Sequence, residues 1–197
     1  MQKFSVLIPA AGFSGRMGQP KAFLPWPGAK SMADAIIQNY LNENCVKIVV
    51  VLNERDYKDP NKFSFFPVHP KVHVLLNPNA EKGRFTSIQT GLLSLSPKYP
   101  VFLHNVDNPP PPSALISEML NKLENSAFLI PAYKLTNGHP LLMNSNILSN
   151  IKEANENSNL RDILSVYEGK IMPCEFPEVL VNLNTPEEYD RFLNLES

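Results

Sequence analysis

The chain has 197 residues, 43% of them apolar, enough for one domain that buries roughly 70% of the surface its unfolded form exposes. Its 18 Lys and Arg against 19 Asp and Glu give a formal charge of -1, so no cationic surplus can neutralise a polyphosphate backbone and no nucleic acid partner is expected. The apolar runs fall far short of the roughly 20 residues that span a bilayer, which excludes a membrane helix.

The start, Met1 to Ala11, resembles a short signal sequence, but it runs straight into a Gly-rich polar loop and reads as a first strand, Phe4 to Ala10. Ser31, three residues before Asp34, resembles a capping box for a helix whose apolar positions are Ala33, Ile36, Ile37, Tyr40 and Leu41. Val46 to Leu52, Val72 to Leu76, Pro100 to Leu103 and Ala127 to Pro131 are short continuous apolar runs, the pattern of strands buried on both faces. Between them fall helical patterns on Ile88, Leu92, Leu93 and Leu95, and on Leu115, Ile116, Met119, Leu120 and Leu123. Pro109 to Pro112 makes a stiff connection from a strand into a helix.

After Pro131 the alternation loosens. A strand is expected at Leu141 to Met143, small helices at Ile147 to Ile151 and Leu160 to Val166, and an apolar strand at Val179 to Leu183. Thr185, Pro186 and Glu188 supply the N-cap, N1 and N3 positions of a final helix. Such alternation predicts right-handed crossovers and an α/β fold: a single-domain, Rossmann-like, open and mainly parallel sheet with helices on both faces. Residues 1–131 are expected to form the nucleotide-binding half and 132–197 the acceptor-binding and closing half. Cys45 and Cys174 lie far apart without metal-ligand spacing, so neither zinc nor a disulfide framework is expected, and a reducing cytoplasm is the default location.

The first strand opens into a loop, Ala11 to Lys21, with glycines at 12, 15 and 18 and with Arg16 and Lys21 as fixed positive charges. Its spacing fits neither a dinucleotide fingerprint nor a P-loop, and on its own it serves a structural turn or a phosphate cradle equally well. Asp107, beyond the strand at Pro100 to Leu103, stands where ligands of open α/β sheets collect and suits Mg²⁺, or else caps the turn before the prolines. His104 is expected to be structural, since Mg²⁺ does not favour imidazole.

The segments Ala10-Ala11-Gly12-x-Ser14-x-Arg16-Met17-Gly18-x-Pro20-Lys21, Gly83-x-x-x-Ser87-Ile88-x-x-Gly91-Leu92, Val106-Asp107-x-Pro109, Gly138-His139-Pro140, Leu160-Arg161-Asp162 and Thr185-Pro186-Glu187-Glu188-Tyr189 follow one another in a familiar order. Together they resemble the MobA/MocA-like nucleotidyltransferases, the molybdenum cofactor cytidylyltransferase-like branch of the NTP transferase superfamily, nearly end to end. The resemblance implies a fold of the nucleotide-diphospho-sugar transferase type. It implies Mg²⁺-dependent transfer of a nucleoside monophosphate from a nucleoside triphosphate, CTP favoured, to a phosphorylated acceptor, molybdopterin first, with release of pyrophosphate.

The resemblance also implies catalytic roles for Arg16, Lys21 and Asp107, and nucleotide contacts from Ala10, Ala11, Gly12, Ser14, Gly15, Met17, Gly18, Asn77, Gly83 and Ser87. The metal falls to Asp107 and Asn182, although the family often carries carboxylates where this chain has Asn182 and Asn184. Lys134, Gly138 and His139 occupy the acceptor's place, where a hairpin turn before Leu141 accounts for Gly138 equally well. Two rivals share these residues: transfer to a sugar or polyol phosphate, suggested by Ile8 to Gly12 and Phe23 to Pro25, and nucleotide binding without turnover, suggested by the missing carboxylates at 182 and 184.

Overall fold

The structure, a computed structural model, describes residues 2–13 and 17–195. The apolar runs expected as strands up to Met143 become β1 (Phe4–Pro9), β2 (Cys45–Leu52), β3 (Val72–Leu76), β4 (Val101–Leu103), β5 (Phe128–Tyr133) and, beyond the short β6 (Thr136–Asn137), β7 (Leu141–Met143). Together with β8 (Gly169–Pro173) they form, among the described residues, one sheet in the order β3-β2-β1-β4-β7-β5-β6, with β8 paired to β5. β1, β2, β3 and β4 are parallel, as is β8 on β5, whereas β7 runs antiparallel between β4 and β5.

Because successive side chains on a strand point to opposite faces, continuous apolar runs feed two cores at once. On β1, Phe4, Val6 and Ile8 pack on one face and Leu7 on the other; on β2, Ile48, Val50 and Leu52 oppose Val49 and Val51. Helices α1 (Met32–Tyr40), α4 (Ser113–Leu123) and α7 (Pro186–Leu195) cover the first face. The second is covered by α3 (Arg84–Leu93), α5 (Leu148–Glu153) and α6 (Leu160–Leu164), so the expected open, mainly parallel sheet with helices on both faces is what the chain forms. One further helix, α2 (Glu54–Lys58), follows β2.

The capping box anticipated at Thr185 is complete, whereas at Ser31 the N-cap half forms and the Asp34 carboxylate accepts from Lys30 N at 2.9 Å. Ser31 Oγ accepts from Asp34 N at 3.1 Å; at the start of α7, Thr185 Oγ1 accepts from Glu188 N at 3.3 Å, and Glu188 Oε2 accepts from Thr185 N at 3.1 Å and from Asn184 N at 2.7 Å.

Three expectations need correction. Val179 to Leu183 is not a strand: Pro177 opens a 3-10 turn over Pro177–Leu180, and the residues beyond it bond to loops, with Leu183 N donating to Asp107 O. The hairpin turn lies at Lys134 and Leu135, both at positive φ, and Gly138 instead donates its N–H to Pro131 O. The sixth helix stops at Leu164, short of the expected Val166.

Helix α3 lies unusually close to β1 because Gly91 faces the sheet. A Cβ at that position would stand 2.1 Å from Leu7 Cδ1 and 3.1 Å from Val51 Cγ2, both on core residues. Overpacking of this kind costs about 1–3 kcal/mol. Gly91→Val is therefore expected to lower Tm by about 2–12 °C in a thermal melt, and an unchanged Tm would contradict the close helix-to-sheet approach.

Candidate active site

The carboxyl ends of β1 and β4, the start of α3 and the loop after β4 enclose a cleft of about 440 Å³. Each wall has a local cause. At the end of β1, Ala10 N donates to Val51 O, so the chain leaves the sheet with Ala10, Ala11 and Gly12 facing the cleft. Lys21 begins a 3-10 turn, Lys21–Phe23, whose Ala22 and Phe23 are buried in the core and leave the lysine aimed at the cleft. Gly83, at φ 111°, turns the chain into α3 where a side chain would be strained, and Gly83, Arg84 and Ser87 line the opposite wall.

The loop after β4 is pegged from beneath by a buried histidine. His104 Nδ1 lies 3.1 Å from Tyr40 Oη and its Nε2 lies 3.2 Å from Asn108 O. Since a backbone carbonyl only accepts, Nε2 carries the proton and Nδ1 accepts from the Tyr40 hydroxyl, which burial keeps protonated well above the usual tyrosine range. Asn108 Nδ2 in turn donates to Val181 O at 2.9 Å, and Asp107 O receives Leu183 N at 2.8 Å. Asp107 is thereby held between a rigid loop and the segment leading into α7.

At the floor of the cleft Lys21 Nζ donates to Asp107 Oδ2 at 3.2 Å and to Asn184 Oδ1 at 2.8 Å. The lysine and aspartate side chains are 12% and 27% exposed, so the pair is only partly screened by water. Two oxygen donors thus converge on one positive charge, as they would on a hard cation. Among the described residues no three His, Cys, Asp or Glu side chains are grouped so that they could hold a metal ion.

Of the residues expected at the site, Ala10, Ala11, Gly12, Lys21, Gly83, Ser87 and Asp107 line this cleft. Ser14, Gly15 and Arg16 lie outside the described residues. Met17 packs in the core, and Gly18 is not among the lining residues. Asn77 is buried, with its Nδ2 donating to Thr86 Oγ1 and Ser87 Oγ, both at 2.9 Å, and its Oδ1 accepting from Asn79 N, so it fixes the entry to α3 and does not face the cleft. Asn182 is turned away from Lys21: its Oδ1 accepts from Asn108 Nδ2 at 3.0 Å and its Nδ2 donates to Leu180 O at 3.2 Å. Asn184 takes the place beside Asp107 that was expected of Asn182.

Arg84, at the helix start with Gly83 and Ser87, also lines the cleft, hydrogen-bonded to Asn105, which sequence reasoning passed over. His139 stands close enough to feel Arg84 and Asp107; burial, then the Arg84 charge, hold its imidazole below the ordinary histidine range.

Fold and cleft define an open α/β protein whose ligand crevice, lined by lysine, arginine and backbone N–H groups, lies at the carboxyl ends of its parallel strands. The chain belongs to the MobA-like NTP transferase family, whose model matches residues 6–171, and is thus a nucleotidyltransferase that takes a nucleoside triphosphate and a small-molecule acceptor. It is 25% identical over 192 residues to the molybdenum cofactor cytidylyltransferase of Escherichia coli (strain K12), covering 96% of this chain and 95% of that one. Its fold is similar to that of a Mycobacterium sp. strain JC1 homologue of the Mycobacterium tuberculosis Rv0371c protein (TM-score 0.78, 15% identity, 98% of this chain and 96% of that one). It is similar in the same way to the 4-diphosphocytidyl-2C-methyl-D-erythritol synthase of Anaerococcus prevotii DSM 20548 (TM-score 0.73, 15% identity, 100% and 97%).

The His104 peg gives the protein a calculable acid sensitivity. Burial holds this imidazole down to about 4, so between that value and about 6.5 the unfolded chain binds a proton that the folded one refuses. Stability is therefore complete above about pH 6.5 and falls by about 3 kcal/mol as the pH drops to 4. Urea unfolding across this range is expected to show that loss in the wild type and a flatter profile in His104→Gln; identical slopes would contradict the assignment.

Proposed function

We propose that the chain transfers a nucleoside monophosphate from a nucleoside triphosphate to a phosphorylated small-molecule acceptor. The observation that carries this reading is the pairing of Lys21 with Asp107 in a cleft whose rim is backbone and arginine, with Asn184 Oδ1 on the same ammonium. An oxygen of the acceptor phosphate forms a bond to the α-phosphorus, the bond from that phosphorus to the bridging oxygen breaks, and its electron pair leaves with pyrophosphate. A phosphate acceptor is already anionic near neutral pH, so no base need remove a proton, in keeping with a His139 held below its usual range.

The residues of this chain then act by position and charge. The backbone at Ala11 and Gly12 cradles the phosphates, and Lys21 offsets the charge that grows on the bridging oxygen as pyrophosphate departs. Asp107 and Asn184 offer the hard oxygen donors that fit Mg²⁺, an ion that fills the rest of its shell with water and phosphate oxygens. Bound there, Mg²⁺ would supply neutralising charge at the phosphates. Arg16, just upstream of Met17, keeps the part assigned to it by family resemblance.

CTP is the favoured donor, because the Ala11 methyl lines the cleft and narrows the slot left for a purine. Molybdopterin is the first acceptor to test, on the name of the curated relative, and a polyol phosphate of the methylerythritol type is the second, on the name of a protein that shares the fold. The same reading places the protein in the cytoplasm; among the described residues no helix is long and apolar enough to cross a membrane.

The test is pyrophosphate release from CTP and GTP against a panel of phosphorylated acceptors. CTP should be the better donor, and Asp107→Ala should lose at least about a hundredfold in turnover, about 2.7 kcal/mol of barrier, while still folding, with a lower unfolding midpoint because Lys21 loses its counter-charge. Near-normal activity in that variant would overturn the role of Asp107, and preference for GTP would overturn the donor. In a Mg²⁺ titration at fixed nucleotide, Asn184→Asp should lower the half-saturating concentration because it adds a full charge opposite a divalent ion, whereas Asn182→Asp should leave it unchanged. The reverse order would return the metal to residue 182.

A further inference from the structure

A second cleft, of about 630 Å³, opens beside the first and is walled by side chains from β4, β5 and β7 and by α6. Most of its wall is apolar, including Leu103, Phe128, Ile130, Leu141 and Leu164, and no Asp or Glu is among its lining residues. Among the described residues Arg84 alone lines both clefts. Its Nη2 donates to Asn105 Oδ1, which ties the guanidinium to the same loop that carries Asp107.

Transfer between two phosphates faces a difficulty that neither cleft resolves alone. The attacking oxygen and the α-phosphorus must approach to about 3–3.5 Å, although each belongs to an anion that repels the other. A guanidinium answers this well, because it keeps its charge at every working pH and presents a planar fork of donors to phosphate oxygens. Arg84 stands at the passage between the two clefts, at the first position of α3, and its charge reaches His139 on the rim of the second cleft.

We infer that Arg84 is the clamp for the acceptor: its guanidinium holds the acceptor's phosphate at the junction of the two clefts, with the acceptor's body lying against the apolar wall of the larger one. The inference rests on the transfer reaction proposed above and adds the residue that brings the two anions together. No proton moves in this step and no further reactant is needed. Arg84 neutralises the attacking phosphate and leaves the leaving group to Lys21. Its loss should therefore be felt more on the acceptor side than in nucleotide binding.

The test uses a simple phosphomonoester, phenyl phosphate, whose anion suits the guanidinium and whose ring suits the apolar wall. It is titrated calorimetrically into the full chain saturated with the α,β-methylene analogue of CTP, in which transfer is blocked. Arg84→Gln should weaken phenyl phosphate binding by about tenfold or more, and Arg84→Lys, which keeps the charge without the fork, by less. The nucleotide Kd, measured separately, should rise by a clearly smaller factor than the phenyl phosphate Kd in both variants.

Unchanged phenyl phosphate binding in Arg84→Gln, an equal loss of nucleotide affinity, or no binding of phenyl phosphate to the wild type would each overturn the inference. Because Arg84 is exposed and Gln and Lys both favour helix, folding is expected to survive, and a thermal melt of each variant verifies it. A wild-type protein that binds phenyl phosphate through Arg84 but releases no pyrophosphate with any acceptor would support the clamp and sink the transfer reaction.

Discussion

The Lys21 ammonium ties together three parts of the chain, since Asp107 lies 86 residues away from it and Asn184 lies 163 away. Each partner is brought to it by different physics. Lys21 is aimed by the burial of Ala22 and Phe23 behind it, Asp107 by a loop pegged to the core, and Asn184 by the capping box of α7, whose Glu188 carboxylate takes the Asn184 backbone N–H. Losing any of these supports would leave a partly buried lysine or aspartate without its counter-charge, which is costlier than losing an exposed ion pair. The cleft therefore depends on the whole sheet being formed and not on the first loop alone.

The same economy explains the buried polar residues behind the site. Tyr40, His104 and Asn108 form a short chain of hydrogen bonds running from α1 under the sheet to the segment that enters α7. None of these groups faces the ligand cleft. Their value is positional: an apolar residue at 104 would satisfy the core but release the carbonyl that fixes Asn108, and with it the backbone of Asp107. A histidine kept neutral by burial does this without adding charge beneath a site that must bind anions.

Much of the fold could be read from the chain, because strands buried on both faces announce themselves as unbroken apolar runs. The helix caps at Ser31 and Thr185 were equally readable, since they depend on side chains at fixed spacing. Strand β8 escaped because only Met172 in it is buried, so neither alternation nor an apolar run marks it. The turn at Lys134 and Leu135 escaped because neither residue is the Gly, Asn or Asp that left-handed turns usually carry. Within the site, Asp107 and Lys21 were legible from the pattern of the loops. The exchange of Asn182 for Asn184 was not, because the two alternate residues share a face of an extended segment and only the competing bond to Asn108 decides between them. Asn77 was misread for a similar reason, as sequence order places it beside the nucleotide while its amide is consumed within the fold.

Drawing Asn184 onto Lys21 through the start of α7 also has a consequence during synthesis. The sheet strands β1 to β4 and both Lys21 and Asp107 leave the ribosome long before residue 184 does. At a typical elongation rate of about 5–20 residues per second, roughly 10–30 s separate the emergence of Lys21 from that of Asn184. For roughly the second half of that interval, once Asp107 has emerged, the nascent chain holds the ammonium and the carboxylate without their third partner, and without the Leu183 N–H that braces the Asp107 carbonyl. The cleft is completed late, when the α7 capping box closes, so a chain stalled before that point carries most of the fold but an unfinished site.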